Sequence, residues 1–222
     1  DLNIVKYLLE NGADIHANDD EALRWAASKG HVGLVKYLIE NGADIHVSND
    51  APLKTAAENG HVGVIEVLAK NNANLQSIED EFLIEAMKKG NDRAVISLIE
   101  NGVNTHNDNE RLLRKAISYK KYTVVKSLIK NGANLHANND EPLRLSIKDD
   151  SFNLVKFLVE NGANLHANND EPLRIAKEMG HKEIERFLEE AVQKESKPAK
   201  KLDLPAPDTP TPTNKTNAPK MK

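Results

Sequence analysis

Apolar residues recur with helical spacing in pairs of short segments along the chain. In the first complete pair, Leu23, Ala26 and Ala27 lie at i, i+3 and i+4, and Val35 and Leu38 follow beyond an intervening glycine. Residues three or four apart lie on the same face of a helix. The pattern predicts a helix, a turn and a second helix.

The same pair of segments repeats without drift. The tetrapeptide Asn-Gly-Ala-Asp or a close variant begins at residues 11, 41, 71, 101, 131 and 161, which is a period of 30 residues. A unit this small buries its apolar face against neighbouring units, so the repetition predicts an all-α solenoid. We expect a half unit at 1–17, five complete units at 18–167, a terminal unit at 168–193 and a disordered Pro/Lys-rich tail at 194–222. Because the chain begins within a unit and lacks an initiator Met, we also expect the natural protein to be longer.

Acidic residues precede the first helix of each pair, and glycine follows most of these helices. The acids are predicted to cap the free amides of the helix; they are Asp20, Asp50, Asp80, Glu110, Asp140 and Asp170. The glycines are predicted to adopt a left-handed backbone at the helix end; they are Gly30, Gly60, Gly90 and Gly180. Asn72 replaces the glycine that ends a second helix, and asparagine is the next best residue for this conformation.

Segments 21–44 and 51–74 contain Leu, an Ala pair, Gly-His, a Val-rich helix and Gly-Ala-Asp or a close variant in that order. This order resembles the ankyrin repeat, and the match extends over residues 1–193. The period of 30 is shorter than the usual 33, so the resemblance implies shortened finger loops. Glu21 and Arg24 replace the usual Thr and His, and at i, i+3 we expect them to form an ion pair.

The short, Asp-rich form of the unit is similar to the ankyrin proteins of giant DNA viruses. That resemblance implies a protein–protein interaction role, a host protein as partner, and no catalytic residues.

Charge and composition exclude several classes of function. Residues 194–222 carry seven lysines and three acidic residues, which leaves the repeats acidic in a chain of net charge −4. An acidic array with no visible stripe of Lys and Arg predicts no nucleic-acid partner. The chain has no cysteine, so we expect an intracellular, cytoplasmic protein. It also has no long apolar run, so we expect no membrane partner.

Histidine occurs in two columns of the repeat. His16, His46, His106, His136 and His166 share one position, but stacked helices lie about 8 to 10 Å apart, which is too far for a shared zinc ion. We therefore predict no metal and no cofactor. The second column, His31, His61 and His181, begins second helices and is predicted to cap them or to form local hydrogen bonds.

Candidate partner-binding residues are those that vary between units. The ankyrin resemblance places contacts on the loops and on the late positions of the first helix, which gives Asn18, Asp19, Lys29, Asn49, Asn59, Glu79, Lys89, Asn109, Tyr119, Asn139 and Asp149. Trp25 is the only tryptophan and is either a recognition anchor or a partly buried core residue.

These observations favour a non-enzymatic, monomeric module that binds a protein along its concave inner-helix and loop face. The alternative is an adaptor that presents a target to cellular machinery, such as a ubiquitin ligase, through an upstream region or the tail. A third interpretation is a structural spacer.

Overall fold

The computed structural model describes residues 2–105 and 110–195. These residues form α1 (Leu2–Glu10), α2 (Ala17–Ser28), α3 (Val32–Glu40), α4 (Val47–Glu58), α5 (Val62–Lys70), α6 (Asp80–Lys88), α7 (Asp92–Glu100), α8 (Arg111–Ser118), α9 (Tyr122–Lys130), α10 (Ala137–Lys148), α11 (Phe152–Glu160), α12 (Ala167–Met179) and α13 (Lys182–Glu195). A short 3-10 turn covers Leu75–Ser77, and no strand occurs in the described ranges. The predicted tail lies outside them, except for Lys194 and Glu195 at the end of α13.

The helices stack in two layers, as the repetition predicts. The even-numbered helices α2 to α12, called first helices below, pack side by side, for example α2 on α4, α8 on α10 and α10 on α12. The odd-numbered helices from α3 onward, called second helices, form the other layer, in which α5 packs on α7 and α7 on α9. The all-α solenoid is therefore confirmed.

The core follows the columns of the repeat. The leucine that begins the apolar stripe of the first helix is fully buried in five successive units, at Leu23, Leu53, Leu83, Leu113 and Leu143. A small residue lies three positions later and is buried too, as at Ala26 and Ala56, so neighbouring first helices can approach closely. Burial between units replaces the single central core of a globular domain.

Asn-Gly-Ala or a close variant ends the second helices from α3 to α11. The Asn41 side chain donates to the carbonyl four residues earlier at 2.7 Å. Gly42 donates its backbone N–H to Ile39, and Ala43 donates its own to Leu38, both at 3.0 Å. This pattern is the Schellman motif, which satisfies carbonyls that have no partner within the helix. The most conspicuous repeated sequence of the chain is thus a helix terminator.

The glycine after a first helix has two roles. Gly30 has the left-handed φ of +72° that was predicted, and a Cβ there would lie 2.6 Å from Nδ1 of His61 in the next unit. His61 donates from Nε2 to the Ser28 carbonyl at 2.9 Å. The prediction that this histidine column acts locally is wrong at His61, and also at His181, whose Nδ1 lies 3.2 Å from the Asp150 carboxylate of the preceding unit. The reason is that stacking brings the start of each second helix against the preceding turn.

Candidate interaction surface

Three consecutive left-handed residues lead into several first helices. In the first complete unit Asn18, Asp19 and Asp20 have φ of 53°, 57° and 48°. The same conformation occurs at 48–50, 138–140 and 168–170. Asn and Asp tolerate this backbone better than most side chains, because their short polar groups form local hydrogen bonds. The loop that was predicted to be shortened is therefore a compact turn, and its Asn/Asp content has a structural cause.

The third residue joins two units in the turns at 18–20, 48–50 and 138–140. The Asp20 carboxylate is 4% exposed and accepts a hydrogen bond from the backbone N–H of Asp44, 24 residues later, at 2.9 Å. His16 Nδ1 lies 3.2 Å from the same carboxylate. In another unit the Glu110 carboxylate accepts from the Asn134 N–H at 3.0 Å. A buried carboxylate needs such donors to offset its desolvation.

The acid column was predicted to cap its own helix, and this prediction is wrong at Asp20, Asp50, Glu110 and Asp140. The carboxylate instead caps the loop of the following unit, because the left-handed turn directs it across the stack rather than along its own helix axis. Repetition of this contact makes the turns a continuous edge of the array.

Arginines brace the same turns. Arg24 donates from Nε and Nη2 to the carbonyls of Asp19 and Asn18, at 2.9 and 2.7 Å. Arg144 forms the equivalent bond to its own turn and also lies 3.1 Å from Glu171 of the next unit. The predicted i, i+3 pairing is thus largely replaced by pairing between units.

Electrostatics at these pairs favour the ionised carboxylate. Asn168 donates to Glu171 at 2.9 Å, and this hydrogen bond, aided by the charges of Arg144 and Arg174, lowers the pKa of Glu171 below its ordinary value. Glu171 therefore stays ionised to a lower pH than an ordinary glutamate and pairs with Arg144 at 3.1 Å.

Trp25, the candidate recognition anchor, lies on α2 in the first complete unit. Its side chain is 48% exposed and borders a cavity of about 350 Å³ that Val5, Ile15 and Leu34 also line. The ring lies 5.2 Å from the His31 ring, centroid to centroid. Trp25 is therefore an accessible aromatic side chain on a partly apolar surface, and its role as an anchor stays a prediction.

The structure divides the predicted site residues into two rows. The turn row lies at the start of the first helices and contains the exposed residues Asn18, Asp19, Asn49, Glu79 and Asn139. The helix-end row contains the exposed Lys29, Asn59 and Lys89 and the half-buried Tyr119 and Asp149. Eight helical residues separate the rows, which is about 12 Å at 1.5 Å per residue. Asn109 lies outside the described residues, as does His106.

The polar stripe between the two rows was not predicted. On α8 it consists of the half-buried Arg111 and Arg114 and the exposed Lys115 and Ser118, at i, i+3, i+4 and i+7. The prediction that the repeats contain no stripe of Lys and Arg is wrong here, because charge summed over the array conceals a local concentration. Charge counted unit by unit would have revealed it.

Within residues 2–105 and 110–195, no group of three or more His, Asp or Glu side chains is arranged to hold a metal ion. The described members of the first histidine column, His16, His46, His136 and His166, each pair with the acid four residues later, as His46 does with Asp50 at 2.8 Å. No helix of the described ranges has both the length and the apolar character that a bilayer span requires.

Known proteins provide the remaining evidence. A family model described as "Ankyrin repeats (3 copies)" matches residues 1–79 and 113–198. The crystal structure of the human ASB11 ankyrin repeat domain is similar, with a TM-score of 0.58 and 27% sequence identity over 89% of this chain and 95% of that chain. No curated protein matches. The matched residues make up well over half of the chain, and with the stacked helix pairs they show that it belongs to the ankyrin repeat family.

Proposed function

We propose that this chain is a non-catalytic module that binds a protein partner across its first helices. The interaction surface consists of the turn row, the helix-end row and the stripe between them. One observation supports this best: the buried columns repeat, whereas the column between the rows changes from Trp25 to Thr55, Glu85, Lys115 and Leu145, which are exposed or half-buried. Only in the terminal unit is this position buried, at Ile175. A constant interior with a varied surface gives each unit a different chemistry to present.

The family supports the same conclusion. Ankyrin repeats generally mediate protein–protein interactions and are typically non-catalytic. We further propose that the chain acts inside the cell as a monomer, without a nucleic-acid or membrane partner. The resemblance to ankyrin proteins of giant DNA viruses rests on the sequence pattern and directs the search toward host proteins.

The test is affinity capture from a cell lysate with the chain as bait, followed by mass spectrometry. Lys29→Glu and Lys89→Glu reverse two exposed charges in the helix-end row. The matched control is Lys36→Glu with Lys70→Glu, which makes the same charge change on exposed positions of second helices.

The expected result is a protein that the native chain and the control retain and that the row variant loses. Retention by all three chains would place binding elsewhere, and absence of any specific protein would contradict the proposal. A second protein recovered in the same complex, bound independently of the row, would support the adaptor function.

A further inference from the structure

One unit differs in charge from its neighbours. Residues 108–137 contain seven Lys and Arg and two acidic residues, net +5, whereas the flanking units 78–107 and 138–167 have net charges of −3 and −2. A single basic unit therefore interrupts an otherwise acidic array. The sign of the charge is reversed at one repeat position, where Arg111 replaces the Glu81 and Glu141 of the flanking units.

The structure brings part of this charge together on the first-helix face. Arg111, Arg114 and Lys115 follow one side of α8 and line a groove of about 270 Å³. Ser118 of α8 and Glu141 and Leu145 of α10 complete the lining, so three cations and one carboxylate border the groove. Lys148 is exposed one turn further along α10. We call Arg111, Arg114, Lys115 and Lys148 the basic stripe.

Two of these cations are held in position by the flanking units. Arg111 lies 2.6 Å from Glu81 of the preceding unit, and Arg114 lies 3.5 Å from Glu141 of the following one. A guanidinium has five N–H donors in a planar fork. Glu81 and Glu141 therefore hold the two guanidinium groups in position on this face of α8.

Lys115 adds a third cation to this face of α8. Its side chain is exposed and forms no ion pair within residues 2–105 and 110–195. Together with the arginines, it leaves an excess of positive charge in and beside the groove. An anionic group there would gain charge-assisted hydrogen bonds.

The size and surroundings of the basic stripe decide the kind of anion. Stacked helices lie about 8 to 10 Å apart, so the basic stripe is only about one helix spacing wide. Proteins that bind the nucleic-acid backbone commonly contact about 6 to 10 phosphates. A strand of that length would extend onto the acidic units on either side. A short peptide with a few closely spaced carboxylates fits within the basic unit.

We propose that the basic stripe binds an acidic segment of the protein partner. This inference rests on the proposed function and adds the chemistry of the partner at one unit. Carboxylates of the segment pair with Lys115 on α8 and Lys148 on α10, beside the oriented guanidinium groups of Arg111 and Arg114. The acidic flanking units repel a longer polyanion and so restrict the segment to this unit.

The test is fluorescence anisotropy with a labelled twelve-residue probe, three repeats of Glu-Glu-Ser-Gly, and the full chain. The same peptide with Gln in place of Glu is the neutral reference, and a single-stranded DNA of 20 nucleotides tests the polyanion alternative. The variant is Lys115→Glu with Lys148→Glu. The matched control is Lys130→Glu with Lys70→Glu, an equal charge change at exposed ends of second helices.

We expect the Glu peptide to bind more tightly than the Gln peptide, and its binding to weaken as salt rises. The Lys115/Lys148 variant should lose about tenfold or more in affinity, since it replaces two attractions by repulsions, while the control changes about twofold or less. Lys115→Gln with Lys148→Gln should lie between the native chain and the reversal, and circular dichroism verifies that every variant is folded.

Equal binding of the Glu and Gln peptides, or equal loss in variant and control, would overturn the inference. DNA binding tighter than peptide binding would overturn it in favour of a nucleic acid. If lysate capture still depends on Lys29 and Lys89 while the Glu peptide fails to bind, the proposed function stands and only the basic stripe is refuted.

Discussion

The Asp140 carboxylate accepts a hydrogen bond at 2.8 Å from the backbone N–H of Asn164, which belongs to the next unit. His136 Nδ1 lies 2.9 Å from the same carboxylate, which is almost fully buried. This unit is thus joined to the next by a polar contact at its turn as well as by apolar packing between helices, and the same contact occurs at Asp20, Asp50 and Glu110.

Asp140→Ala should lower the free energy of unfolding by about 1 to 3 kcal/mol, because it leaves the Asn164 N–H without its acceptor. Urea denaturation followed by circular dichroism measures the change. Glu40→Ala, which removes an exposed carboxylate at the end of α3, is the control and should change stability by less than about 0.5 kcal/mol. Equal effects of the two substitutions would show that the contact does not stabilise the array.

Asn139→Val should destabilise the array by about 1 to 3 kcal/mol, because Asn139 has φ +57° and a β-branched residue is strained there. Asn139→Gly should be nearly neutral or stabilising in comparison. The control is Asn153→Val, an exposed position within α11. A higher melting temperature for Asn139→Val than for Asn139→Gly would contradict the left-handed turn.

Gly30→Ala should be more destabilising than Gly90→Ala, although both residues have left-handed backbone. A Cβ at Gly30 meets the His61 ring at 2.6 Å, whereas a Cβ at Gly90 meets nothing within 4 Å. We expect Gly90→Ala to lower the free energy of unfolding by about 1 kcal/mol through backbone strain alone, and Gly30→Ala to lower it by more. The excess at Gly30 should disappear when His61→Ala is added, which a double-mutant cycle measures. An excess that persists without His61 would refute the contact.

Leu128→Ala should lower the free energy of unfolding by about 2 to 5 kcal/mol, since Leu128 is fully buried in α9. Because units are stabilised by their neighbours, amide hydrogen exchange should accelerate in α7 as well as in α9. Lys130→Ala, at an exposed position of the same helix, is the control. Faster exchange confined to α9 would show that the units unfold independently.

His166 should titrate above the ordinary histidine pKa. Its side chain is hydrogen-bonded to Asp170, and the Asp170 and Glu195 carboxylates also favour the charged imidazole, so its pKa is raised. A raised folded-state pKa means that the contribution to stability is fully present below the unfolded value of about 6.5 and is lost as pH rises through the folded pKa.

NMR titration of the His166 ring measures this effect. Asp170→Asn, which keeps a residue suited to the left-handed turn, should lower the pKa of His166 toward the ordinary value. The same midpoint in both proteins would contradict the ion pair.

The sequence predicted features that depend on one unit and missed those that depend on stacking. The helix pair, the left-handed Gly30 and the left-handed Asn72, with φ +65°, follow from local spacing and backbone preference. The partners of Asp20 and His61 did not follow, because their contacts span 24 and 33 residues and depend on how one unit lies on the next. The exposure of each varied position also depends on stacking. The stripe on α8 was therefore identified only from the structure.

The spacing of the contacts between units has a consequence for how this array can change in length. The turn carboxylate reaches a backbone amide 24 residues later, and His61 reaches a carbonyl 33 residues earlier. Adding or removing a whole unit of 30 residues reproduces both contacts at the new junction. Removing a single residue within a unit displaces the partners on both sides. The array can therefore grow or shrink in steps of one unit, and each step adds or removes one segment of varied surface without rebuilding the rest.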